Sequence, residues 1–115
     1  MDFQRFESEY IVEKEGDSTL GTLRFSGDLT IQDAASIKET VLEALSKTDD
    51  CRLDFDLVNI FDLSSIQIFF AACNSAAAKM KKLELKGECP SVFRNAVIDA
   101  GFERIEWLCF GESFN

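Results

Sequence analysis

Phe61-Asp62-Leu63-Ser64-Ser65-Ile66-Gln67 stands between a strand-like run and an alanine-rich apolar segment. Upstream, from Cys51 to Val58, Leu53, Phe55 and Leu57 alternate with Asp54 and Asp56, the period of a half-buried strand. Downstream, from about Ser65 to Met80, the apolar residues recur at helical spacing. Ser64 and Gln67 have the Ser-x-x-Gln spacing of a capping box, which predicts a helix start at Ser64. The first turn of a helix carries unpaired amides and a partial positive charge, so a serine there is placed to carry a phosphate.

In the helix after this corner, Ile66, Phe69, Phe70, Cys73, Ala77 and Met80 form the expected inward stripe. Ile68, Ala71, Ala72 and Ala76 make the rest of it apolar too. Such a helix is sandwiched in a core or shows part of itself to a partner. Phe69, Phe70 and Ile68 are the residues whose exposure would decide between the two.

Working towards the N-terminus, Ile31 to Ser46 reads as a surface helix. Ala34, Ile37, Val41, Ala44 and Leu45 lie on one stripe, and Lys38, Glu39 and Glu43 on the other side. Thr30 is the expected N-cap, with Asp33 three residues on. Phe6 to Glu15 reads as an edge strand guarded by acidic residues. The Gly16-Asp17 turn joins it to a second strand, Leu20 to Phe25, in an antiparallel hairpin. Towards the C-terminus, Lys82 to Glu88 alternates as a strand, Pro90 opens a helix over Val92 to Ala100, and Gly101 stops it. Ile105 to Phe110 is the expected last strand. The order is β-β-α-β-α-β-α-β. It implies one α/β domain over residues 1–115, with a mixed sheet, an N-terminal antiparallel hairpin and at least three packed helices.

Acidic residues outnumber basic ones 21 to 12, for a net charge of −9. This argues against nucleic acid or an anionic membrane as partner, because both demand clustered Lys and Arg. Lys79, Lys81, Lys82 and Lys86 do cluster, as cations commonly do at a helix C-terminus. No basic region followed by an apolar run opens the chain, and no apolar stretch reaches the ~20 residues that span a bilayer. Cys51, Cys73, Cys89 and Cys109 form no C-x-x-C pair, which predicts reduced thiols and a cytoplasmic protein. With no histidine, His-based triads and His metal sites are excluded. Asp54 and Asp56 share a strand face, as a cation-binding or acid–base pair would, but plain exposed strand aspartates are the commoner case, and no Gly-rich phosphate loop is present. A binding protein without cofactor or metal is expected rather than an enzyme.

Order and residues together resemble the STAS domain family, the fold of anti-sigma-factor antagonists and of the cytoplasmic domain of sulphate transporters. The resemblance covers essentially the whole chain. Gly27-Asp28-Leu29-Thr30 stands where the family carries Gly-Glu-Leu-Asp, and Asp62-Leu63-Ser64-Ser65 where it carries Asp-Ser-Ser-Gly. Pro90 and Gly101-Phe102 match the limits of its third helix. The resemblance implies that Ser64 is phosphorylated by a partner kinase, since it aligns with the antagonists' phosphoserine. It also implies that Asp28, Thr30, Asp62, Leu63 and Ser65 face a protein partner, an anti-sigma-factor or serine-kinase-like protein or a signalling or transport complex. Leu63 replaces the family's first serine, Ser65 a glycine, Gln67 a second glycine and Thr30 an aspartate. An Asp-Leu-Ser corner is more similar to stand-alone bacterial STAS proteins linked to chemotaxis or lipid transport than to the sporulation antagonist. Two readings follow: a module switched at Ser64, or a constitutive interaction subunit in which Ser64 only caps a helix.

Overall fold

The structure, a computed structural model, describes residues 5–87 and 90–101. Strand β1 (Phe6–Glu15) turns through Gly16, at φ +64°, into strand β2 (Ser18–Leu29). A 3-10 turn (Ile31–Asp33) leads into helix α1 (Ala34–Lys47), followed by strand β3 (Asp50–Phe61) and helix α2 (Leu63–Ala78). Strand β4 (Lys82–Leu85) and helix α3 (Ser91–Asp99) complete the described chain. The expected strand over 105–110 lies outside the described residues.

The strands lie in the order β1-β2-β3-β4. β1 and β2 are antiparallel, while β2, β3 and β4 run parallel, joined by helical crossovers through α1 and α2. The mixed sheet with its N-terminal hairpin is therefore as the sequence implied. β2 extends four residues beyond the expected Phe25, because register shifts against β3 carry pairing on to Leu29. Gly27 permits this. Its φ is +90°, and a Cβ there would stand 2.4 Å from the Arg5 carbonyl oxygen, which accepts from the Asp28 amide at 3.0 Å.

The core lies between the helices and one sheet face, and phenylalanine fills it. Phe55 on β3 packs 4.9 Å from Phe69 on α2 and 5.0 Å from Phe93 on α3, centroid to centroid. Phe25 joins from β2 and Phe61 from the end of β3. Edge-to-face contacts such as Phe55–Phe69 add roughly 0.5–1.5 kcal/mol beyond the area they bury. Phe69 and Phe70 are both buried, so neither is spare for a partner, and Ile68 is half-buried.

Two expectations about α2 require correction. Ala77 is exposed and Met80 is 95% exposed, because the helix ends at Ala78 and Met80 follows it at φ +60°, out of the inward stripe. Cysteine chemistry differs as well. Cys51 is a free, buried thiol, but Cys73 is disulfide-bonded, against the reading of reduced thiols throughout. Linear spacing without a C-x-x-C pair carries no signal for a bridge formed by the fold.

Candidate functional site

The corner between β3 and α2 is built on Asp62, not on Ser64. Asp62 has extended backbone (φ −105°, ψ 178°) and is the N-cap of α2. Its Oδ1 accepts from the Ser65 amide at 3.0 Å, and the Ser65 Oγ accepts from the Asp62 amide at 3.1 Å. This is a reciprocal capping box two residues earlier than Ser64 and Gln67 would have made it. The Ser65 hydroxyl also donates to the Asp62 carbonyl at 2.9 Å, and Ser65 is fully buried.

The same aspartate ties the second loop to the first. Asp62 Oδ2 accepts from the Ile31 amide at 2.6 Å, and the Asp62 amide donates to the Leu29 carbonyl at 3.2 Å. Asp28–Thr30 and Asp62–Ser64 are therefore brought together at one end of the sheet. Parallel pairing of β2 with β3 delivers both loops there, with Leu29 opposite Phe61. Strand C-terminal ends in parallel sheets are where ligands and partners are commonly met.

The residues expected to face a partner divide. Leu63 is 52% exposed, and Ser64, at the second helical position, is half-buried outside the capping box. Asp28 and Thr30 are half-buried. Both carboxylate oxygens of Asp62 are already engaged, and the Ser65 side chain points inward, so these two shape the corner from behind. Thr30 does not cap with its side chain. Its Oγ1 is buried and has no partner among the described residues. Asp33 does not cap either, since its Oδ2 accepts from the Arg5 amide at 3.0 Å. Ile31, expected inside a helix, is 66% exposed at the loop that Asp62 holds, and adds an exposed apolar side chain that the periodicity concealed.

From Ser64 an open groove of about 470 Å³ runs between α1 and α2. Val41, Leu42, Ile68, Ala71 and Ala72 make up half of its lining residues, with Gln67 and Lys38 at the rim. No element of sequence announced it, because it exists only where two helices thirty residues apart come side by side.

The candidate acid–base pair is not assembled. Asp54 and Asp56 are separated by the β3 irregularity. Asp54 is buried and paired with Arg24 at 3.1 Å, and its Oδ1 accepts from the Asp56 amide, while the Asp56 side chain is exposed. Among the described residues no three His, Cys, Asp or Glu side chains are grouped to hold a metal. Among them, too, no helix is long and apolar enough to cross a membrane.

The family model described as "Mlab, STAS domain" matches residues 13–107. No curated protein sequence matches the chain. Among solved structures, an anti-sigma factor antagonist from Mycobacterium paratuberculosis is similar at TM-score 0.60 and 12% identity, covering 83% of this chain and 79% of its own. A variant of RsbS from Moorella thermoacetica is similar at TM-score 0.60 and 16% identity, with 85% and 82% covered. The anti-sigma factor antagonist SpoIIAA in its unphosphorylated form reaches TM-score 0.56 at 13% identity, with 76% and 80% covered. At these identities the structural likenesses speak for the fold.

Proposed function

The chain belongs to the STAS domain family, and on that premise we propose that it is a non-enzymatic, protein-docking regulatory module of the anti-sigma-factor-antagonist type, switched by phosphorylation of Ser64. The observation that carries this reading is the division of labour at the α2 corner. Asp62 and Ser65 hold the cap, which leaves the Ser64 side chain out of the hydrogen bonds among the described residues and next to the exposed Leu63. A phosphate on Ser64 would add roughly −1.5 to −2 charges at the positive end of α2, where the fold tolerates it. The switch would act by changing the docking surface, not by refolding the domain. Ser65, fully buried, is the poorer acceptor.

The partner in this reading is a protein that meets Asp28, Thr30, Ile31, Leu63 and Ser64, either a serine-kinase-like or anti-sigma-factor protein or a component of a chemotaxis-type signalling complex. The charge of −9 disfavours nucleic acid. The cytoplasm is the proposed site of action on the ground of the kinase and its nucleotide alone, because the Cys73 disulfide removes the support that reduced thiols would lend.

A second reading, a constitutive subunit of a transporter or lipid-transport complex, is favoured by the groove between α1 and α2, most of whose lining is independent of Ser64. Intact-mass analysis with phosphopeptide mapping, on protein from its native cells and on Ser64→Ala, separates the two. Phosphate on Ser64 that vanishes in the variant supports the switch. An unmodified chain across growth conditions overturns it in favour of constitutive docking.

A further inference from the structure

The groove between α1 and α2 has a charge pattern unlike the rest of the molecule. The chain carries 21 acidic residues, yet no carboxylate lines the groove among the described residues. Lys38 stands on its α1 rim. Past Leu42 and Ser75 it continues into a smaller depression of about 150 Å³ flanked by Lys79 and Lys81, the latter anchored through its Nζ to the Leu45 carbonyl at 2.5 Å.

The shape is that of a furrow between two helices running the same way. On α2 the lining residues Ser64, Gln67, Ile68, Ala71, Ala72 and Ser75 recur every three or four positions. On α1 Ala34, Lys38, Val41 and Leu42 do the same. From Ser64 to Lys79 the furrow is about 22 Å long at the rise of an α-helix. Its alanines and serines allow close approach, and Leu42, 40% exposed, projects as a ridge.

We propose that this furrow seats an amphipathic α-helix of a protein partner, apolar on the buried side and acidic along its flanks. Regularly spaced apolar holes suit anchors at i, i+3, i+4 and i+7, and the lysines select acidic flanks. Furrow-to-furrow pairing of two copies of this chain fits poorly, because it would bring lysine against lysine. The inference rests on the reading of the protein as a docking module and names the chemistry of what docks. Ser64 lies at one end of the furrow, so a phosphate there would face the acidic flank and weaken the seat.

The test is titration of the whole protein with a synthetic amphipathic peptide of about eighteen residues, with leucines at helical spacing and flanking glutamates. Binding is followed by anisotropy and by chemical-shift mapping. A counterpart with lysine flanks and, separately, dodecanoate are the comparison probes. Saturable binding is expected, with shifts at Leu42, Ile68 and Ala71. Ala71→Glu, at an exposed helical site, should weaken it by at least about tenfold, and the lysine peptide should bind about tenfold more weakly than the acidic one. Ile98→Glu on α3 should leave it unchanged. No saturable binding, equal binding of the two peptides, or insensitivity to Ala71→Glu overturns the proposal. Dodecanoate shifting these residues where the acidic peptide does not also overturns it, in favour of an acyl ligand. Equal peptide binding by Ser64→Glu and the unaltered chain leaves the furrow assignment standing and sinks the switch. Phosphate found on Ser64 with no peptide binding does the reverse.

Discussion

The Asp62 carboxylate and the Ile31 amide are 31 residues apart in the chain and 2.6 Å apart in the fold. With its other oxygen on the Ser65 amide, Asp62 fixes the β2–α1 loop against the first turn of α2. One side chain thus sets both the start of a helix and the relative position of two loops.

Asp62→Ala should cost about 1–2 kcal/mol for the cap alone, and more once the Ile31 amide loses its acceptor. A urea series would show a lower midpoint. Amide exchange at Ile31 and Ser65 should quicken more than at Phe55 in mid-strand.

Ser64 and Ser65 should respond oppositely. Ser65→Ala removes a buried hydroxyl that both donates and accepts, at a cost of about 1 kcal/mol. Ser64→Ala should stay within about 0.5 kcal/mol of the parent. Ser64→Asp should stabilise by about 0.3–1 kcal/mol, because a carboxylate in the first turn complements the helix dipole. Thermal melts of the three variants check this order.

Asp54 is buried on β3, with Arg24 Nε at 3.1 Å and Lys86 Nζ at 4.0 Å. Arg24→Met should destabilise by about 1–3 kcal/mol, because the buried carboxylate keeps only its weaker partners. Adding Asp54→Leu should recover part of that loss, since an apolar pair costs nothing to desolvate. A double-mutant cycle in denaturant measures the coupling.

Burial pushes the Cys51 thiol up to about 11 from its ordinary 9.0. The folded state therefore holds the proton more tightly than the unfolded state. Its contribution to stability is complete below pH 9.0 and is lost as pH rises towards about 11. Urea midpoints measured across that range should fall more steeply for the parent than for Cys51→Ala, once the variant's constant cavity penalty is subtracted.

The strands and helices were legible in the sequence because alternation and helical spacing are local. The Ile37–Val41–Leu45 stripe corresponds to a buried face, and so does the β3 alternation at Leu53 and Phe55, but the register shift that follows turns Leu57, expected inward, to 56% exposure and buries Val58 instead. The cap of α2 lies two residues before its expected place: Ser64-x-x-Gln67 has the usual box signature, whereas Asp62-x-x-Ser65 does not. Which residue caps is decided by where β3 releases its backbone. Thr30 looked like a cap, yet its hydroxyl turned inward. Exposed Ile31 and the furrow depend on what lies across a loop or beside a helix, and no linear pattern encodes either.

The bond between Asp62 and Ile31 also has a consequence in time. The two halves of the corner are synthesised thirty residues apart and meet only once β2 and β3 are paired. A kinase that reads both halves would pass over a nascent or misfolded chain, whose Ser64 is present but unframed. Modification would then certify that the domain has finished folding before it is admitted to, or barred from, its complex.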